Sequence, residues 1–283
     1  MDAVREAYKL MRWRFLPVRY AGKLRRLATN PGLSAPIRGR EAQTIAEQGY
    51  TAGPGVPADL LDQMRAIYLP RGVEVVPKTG GHPFTNLMRV EDFTSDNPVL
   101  RFAMSRPVLD IAHDYFGGRL VCDSLQVLYS WPTGDMLSES QMWHKDYGDS
   151  RSLHVVAYVN DVLDDAGGPF GFVDRQDTKR ISASPFIRRI NDARFARELG
   201  DGTVRVFRGR AGESVAIDPS SCYHYGSRCE RPRTAVFVTF STDRPFVAPV
   251  SLVTENAERL RKAATELRPD LSDAYLARLF SAA

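Results

Sequence analysis

"GESVAIDPSSCYHYGSRCERPRTAVFVTF" (residues 212–240) holds two apolar runs, "ESVAID" and "TAVFVTF", joined by a turn-rich segment. Short runs rich in β-branched and aromatic residues, bounded by Pro, Gly, Asp and Ser, read as strands. The joining segment carries His224, and Arg231 and Arg233 stand just ahead of the second run. Upstream, "RLVCDSLQVLYSW", "SLHVVAYVNDV" and "GPFGFV" have the same texture. Strands this short, with no alternating helices between them, predict an antiparallel sandwich or jelly roll over about residues 119–245.

Helical spacing flanks that block. "PADLLDQMRAIYL" places Leu60, Leu61, Met64, Ile67 and Tyr68 on one side. "NPVLRFAMSRPVLDIAHDYFGG" reads as one or two short helices stopped by the Gly pair at 117–118. Residues 250–283 return to helix through "TENAERLRKAATELR" and "LSDAYLARLF". Residues 41–283 are thus expected to form a single domain.

Residues 1–40 differ in character. They hold ten Lys/Arg against two Asp/Glu, a charge of +8, whereas the remainder carries −4. This arm, expected to be helical, mixes bulky apolar and basic residues. That suits an anionic membrane surface, or docking on its own domain with the arginines in water. No zinc-finger, P-loop or RNA-binding signature appears, so no nucleic-acid partner is expected. No apolar run approaches the roughly 18 residues of a membrane span, and no signal-peptide pattern opens the chain. Three cysteines without a C-x-x-C pair argue against a disulfide framework and fit the cytoplasm.

The chemistry concentrates in "QMWHKDYGD" (141–149). If His144 and Asp146 sit on a strand end, they point to one face and offer an imidazole and a carboxylate to one metal. Alone, an H-x-D pair is more often a surface pair than a ligand pair. Of five histidines, His224 is the natural third ligand, late in the strand block. Two histidines and a carboxylate on one face of an octahedron leave three positions open, the facial triad of non-haem Fe(II) oxygenases.

The order of parts resembles the phytanoyl-CoA dioxygenase family of Fe(II)/2-oxoglutarate-dependent oxygenases. "AEQGYTAGPGVPADLLDQM" is similar to the family's opening strand and helix, and "RVEDFTSDNPVLRFAMSRPVLDIAHDYFGG" to its next segment. "LQVLYSWPTGD", "WHKD" and "HVVAYVNDVLDDAGGPFGFVD" resemble its central parts, and the stretch at 212–240 its closing one. The resemblance covers roughly residues 43–245. It implies a mainly β core, a double-stranded β-helix (jelly roll, cupin-like), with flanking N- and C-terminal α-helices. It implies Fe(II), 2-oxoglutarate and O2 as cofactor and cosubstrates, with release of succinate and CO2.

Carried over residue by residue, His144, Asp146 and His224 match the iron ligands. Arg233 matches the clamp on the distal carboxylate of 2-oxoglutarate, with Arg231 as competitor on the same strand face. Tyr158, Gln126 and Arg89 match further cosubstrate positions. The family often has a small hydroxyl residue two past the last histidine; here that position is Gly226, and Ser227 follows. The family's halogenases have Gly or Ala at the carboxylate position, so Asp146 favours hydroxylation, or a desaturation or ring closure.

The expected substrate is a small polar metabolite, sugar-containing or an amino acid derivative, in a biosynthetic pathway. Its wall is expected from residues 77–86, 145–154 and 174–180, chiefly His154, Arg151, Lys145 and Asn86, with Lys78, His82 and Asp149. The alternative is a non-redox metal-binding jelly roll, an isomerase or ligand-binding barrel. Arg233 discriminates, because such a barrel has no use for a cationic clamp.

Overall fold

The computed structural model describes residues 36–76, 83–132, 137–146, 148–181, 189–200 and 203–281. The expectations for residues 1–35, including most of the basic arm, lie outside the described residues, as do Lys78 and His82.

Helices α1 (Arg40–Gln48) and α2 (Ala58–Val73) flank strand β1 (Tyr50–Ala52). Strand β2 (Phe84–Asn86) precedes helices α3 (Pro98–Ala103) and α4 (Arg106–Phe116). The strand block follows: β3 (Leu120–Ser130), β4 (Trp143–His144), β5 (Ser152–Tyr158), β6 (Phe170–Phe172), β7 (Arg189–Ile190), β8 (Arg205–Phe207), β9 (Ser214–Ile217), β10 (His224–Tyr225) and β11 (Arg233–Thr242). Helices α5 (Arg175–Arg180) and α6 (Asp192–Leu199) interrupt it. Helices α7 (Ser251–Thr254), α8 (Ala257–Leu267) and α9 (Asp273–Leu279) close the chain.

The strands form two antiparallel sheets, ordered β1-β9-β5-β11-β3-β2 and β7-β4-β10-β6-β8. This is the expected jelly roll with flanking helices. Two of its strands, β1 and β2, come from before residue 119, because the large sheet covers its edges with upstream chain.

The large sheet is covered on both faces, which explains why β11 (RTAVFVTFST) reads as a nearly continuous apolar run. One face packs Leu125, Val127, Val155, Val236, Val238 and Phe240 into the main core with the helices. The other turns Val156, Tyr158, Val215, Ile217 and Ala235 toward Phe170 and Phe172 of the small sheet. Behind the small sheet, Trp143 stacks on Phe195 of α6 with ring centroids 3.7 Å apart. This anchors β4, a strand of two residues too short to hold itself.

The helical periodicity read upstream holds, with Leu60, Leu61, Met64 and Tyr68 buried along α2. That helix runs on through Pro70 to Val73. The stretch 97–118 resolves into two helices, α4 ending on Gly117 at φ 60°. Among the described residues no helix is long and apolar enough to cross a membrane.

Candidate active site

The site lies between the sheets. β10 pairs with β4 so that His224 stands opposite His144, and their rings are 4.2 Å apart. Asp146 follows two residues later, its N–H donating to Pro219 O at 2.9 Å. Ligand atoms of His144, Asp146 and His224 all lie within 4.8 Å of one another. Asp146 Oδ1 is 3.8 Å from His144 Nε2 and 3.9 Å from His224 Nε2.

The outward nitrogens are fixed by a repeated device. His144 Nδ1 meets Met142 O at 2.8 Å, and His224 Nδ1 meets Cys222 O at 3.0 Å. A carbonyl only accepts, so Nδ1 carries the proton and Nε2 presents its lone pair to the gap. Burial lowers the pKa of both rings, that of His224 to about 3 with His144 beside it. Both therefore stay neutral and able to bind a metal at neutral pH.

Burial by itself would raise the Asp146 pKa. A hydrogen bond from His154, and the fields of His224, His154 and His144, outweigh it and hold the carboxyl well below the ordinary range. His154 Nε2 lies 3.0 Å from Asp146 Oδ2, and its Nδ1 is 2.9 Å from Thr239 Oγ1. His154, read as a substrate-wall residue, is thus engaged with the carboxylate itself.

Arg233 opens β11 and is 1% exposed. Its Nη1 donates to Gly168 O at 2.5 Å, and its Nη2 to Ser227 Oγ at 3.1 Å and Ser130 Oγ at 3.4 Å. Among the described residues its Nε has no hydrogen-bond partner and no carboxylate pairs with the guanidinium. A buried guanidinium with a free N–H is chemically able to receive an anion. Arg231 instead lies at the surface, paired with Asp164.

Local chain geometry sets the surroundings of Arg233. Gly168 has φ +65°, and a Cβ there would collide with Cys229 Sγ and the Arg228 backbone. Only glycine therefore lets its carbonyl reach Arg233. A Cβ on Gly226 would lie 3.7 Å from Arg233 Nη2. Ser227 takes φ 61°, and this left-handed turn directs its hydroxyl to Arg233 from one residue later than the family pattern.

Other expected site residues divide. Gln126 is half-buried, opposite Phe237, and shares its strand face with Ser130. The Tyr158 hydroxyl is used in packing: it donates to Phe207 O at 2.7 Å and accepts from Phe170 N at 3.0 Å. Burial, opposed by Arg233, raises its pKa to about 12. Asn86 Oδ1 accepts from the N–H groups of Met88 and Val127. Arg151 donates to Tyr115 O and lies over its ring. Lys145 is exposed, its ammonium 5.6 Å from the Tyr223 ring centroid. Arg89 is exposed, its N–H donating to Asp92.

Sequence reasoning passed over Ser130, Thr239 and Asp123. Asp123 is the one with a readable signal, an acid inside the apolar strand run "RLVCDSLQVLYSW".

No protein-family model and no curated protein matches the chain. Solved structures do. The epimerase SnoN, in complex with Fe3+, alpha ketoglutarate and nogalamycin RO, aligns with a TM-score of 0.53 at 15% identity, covering 75% of this chain and 86% of that one. EctD from S. alaskensis, with 2-oxoglutarate and 5-hydroxyectoine, aligns with a TM-score of 0.51 at 16% identity, covering 75% and 80%. The shared feature is the fold, antiparallel sheets of a jelly roll with flanking helices.

Proposed function

We propose that this chain is a cytoplasmic non-haem Fe(II)/2-oxoglutarate-dependent oxygenase of the phytanoyl-CoA dioxygenase type. Residues 41–283 form its single catalytic domain, and it oxidises a small polar metabolite, most simply by hydroxylation. The observation that carries this reading is one barrel holding both a His–Asp–His triad and a buried guanidinium that, among the described residues, has no counter-anion.

The donor set fits the metal. Two imidazole Nε2 atoms and one carboxylate oxygen suit Fe(II), and three protein ligands leave room for a bidentate cosubstrate. Arg233 Nε and the Ser130 and Ser227 hydroxyls suit a distal carboxylate. Iron with 2-oxoglutarate and O2 would supply the oxidising chemistry there, one oxygen atom of O2 ending in succinate as CO2 is released and the other in the substrate. The chain's own part is to hold three ligands in fixed protonation states and to seat the cosubstrate by its charge. The iron and alpha ketoglutarate with SnoN, and the 2-oxoglutarate with EctD, support the same ligands on this fold. Asp146 fills the position a halide would need, which favours hydroxylation over halogenation.

A barrel that bound metal without redox chemistry would leave Arg233 buried at a cost and without purpose. Succinate release from 2-oxoglutarate, assayed with Fe(II), with Zn(II) and without metal, separates the readings. Release only with Fe(II) is expected; none with any metal would overturn the proposal.

A further inference from the structure

β3 and β11 pair in register from Arg233 to Thr239, then slip. Thr239 stands opposite Ser124, and Phe240 opposite Cys122, which leaves Asp123 as an extra residue. Bulges of this kind re-aim a side chain, and they gather beside active sites. Cys122 and Phe240 go to the helix-side core. The Asp123 carboxyl instead comes under the fields of His154, Asp146 and Asp149 and faces Ser241. It therefore lies at the metal end of the barrel.

Asp123 is half-buried, and among the described residues no cation pairs with it. Asp149 beside it is spent: its oxygens accept from Thr242 N, Thr242 Oγ1 and Ser150 N. Ser241 lies two residues past Thr239, on the face that Thr239 turns to His154. It is 2% exposed, and its hydroxyl closes no hydrogen bond of good geometry. A half-buried carboxylate and a buried hydroxyl that, among the described residues, meet only each other at the metal end are the two halves of a receptor.

We propose that Asp123 and Ser241 form a substrate-docking subsite and that the group they take is a protonated amine. An ammonium has three donors and no acceptor, so one group serves the carboxylate and the hydroxyl together. The neighbouring carboxylate of Asp149 adds negative charge to the place and disfavours an anion. An alcohol would offer one donor and leave the acid's charge uncompensated. The inference rests on the Fe(II)/2-oxoglutarate reading and adds to it the substrate class, an amine-bearing small molecule.

The test uses the full chain loaded with Ni(II) and 2-oxoglutarate, so that no turnover occurs. Benzylammonium, benzyl alcohol and phenylacetate are titrated by calorimetry or ligand-observed NMR. The wild type is expected to bind benzylammonium at least about tenfold more tightly than benzyl alcohol, as a charge-assisted contact implies. Phenylacetate is expected to bind most weakly. Asp123→Asn should erase the preference, and Ser241→Ala should reduce it. Equal binding of amine and alcohol by the wild type, a measurement independent of how any variant folds, would overturn the proposal. So would a preference that survives Asp123→Asn. Binding of 2-oxoglutarate to the Ni(II)-loaded chain is read first: its failure would remove the oxygenase reading as well, whereas its success with no amine preference would remove this inference alone.

Discussion

His154 donates from Nε2 to Asp146 Oδ2 at 3.0 Å, while Asp146 Oδ1 faces the two ligand nitrogens of His144 and His224. A carboxylate only accepts, so the bond fixes the proton on Nε2 and leaves Nδ1 to the Thr239 hydroxyl at 2.9 Å. One oxygen of Asp146 is thereby left facing the two imidazoles, and the other is taken up by His154.

His154→Leu should accordingly weaken Fe(II) binding about 10- to 100-fold, the usual effect of removing a partner that orients a ligand. His154→Gln, which keeps an N–H donor, should recover part of the loss, and Thr239→Val should show a smaller version of it. Equilibrium dialysis with Fe(II) under anaerobic conditions measures all three. Unchanged affinity in His154→Leu would remove the positioning role.

Arg233→Ala should raise the 2-oxoglutarate concentration for half-maximal succinate release by roughly a hundredfold, from the loss of a charge-assisted contact. Arg231→Ala should leave it unchanged, because Arg231 is exposed and paired with Asp164. The reverse pattern would exchange their roles.

The turn that delivers His224 depends on a buried ion pair. Asp218, 1% exposed, accepts from Arg175 Nη2 at 3.0 Å, Tyr115 Oη at 2.8 Å and Ser221 Oγ at 2.9 Å. Asp218→Ala strands the Arg175 charge and should cost about 3–5 kcal/mol in urea unfolding. Tyr115→Phe removes one hydrogen bond and should cost about 1 kcal/mol.

Burial, with the fields of Asp146 and Asp149 and against that of His154, raises the Asp123 pKa to about 6. Its unfolded value lies near 3.9. Above pH 6 the folded chain holds a disfavoured charge that the unfolded chain carries freely, so the acid lowers stability there. Between the two values the folded state binds the extra proton, and the penalty fades as pH falls. Asp123→Asn should therefore stabilise the metal-free protein on the order of 2 kcal/mol at pH 8 and much less near pH 4. Thermal unfolding at the two pH values checks this, and a destabilised variant at pH 8 would contradict it.

Much of this was readable from local pattern. The apolar runs of β3, β5, β9 and β11 have period and length enough to be seen, and His144, Asp146 and His224 converge as their spacing suggests. Arg233 and Arg231 look alike in sequence and part only in the fold, the first buried and the second exposed beside Asp164. What could not be read depends on pairing across the sheets. His154 looks like a wall residue until β5 is laid against β11, which brings Thr239 opposite it. Ser227 reaches Arg233 only through a positive φ that its sequence does not announce. β2 escapes notice because three residues carry no period of their own. Asp123 was visible as an acid in an apolar run, but its direction depends on a register slip between two distant strands.

The central claim is that the triad and Arg233 together hold iron and 2-oxoglutarate. It is tested most directly by anaerobic titration of the Fe(II)-loaded protein with 2-oxoglutarate, followed by visible absorption. The account predicts a charge-transfer band that saturates at a single equivalent of 2-oxoglutarate in the wild type. It predicts no band in Asp146→Ala, and one displaced to higher 2-oxoglutarate in Arg233→Ala. A wild type without the band, or an Asp146→Ala variant that keeps it unchanged, would contradict the account.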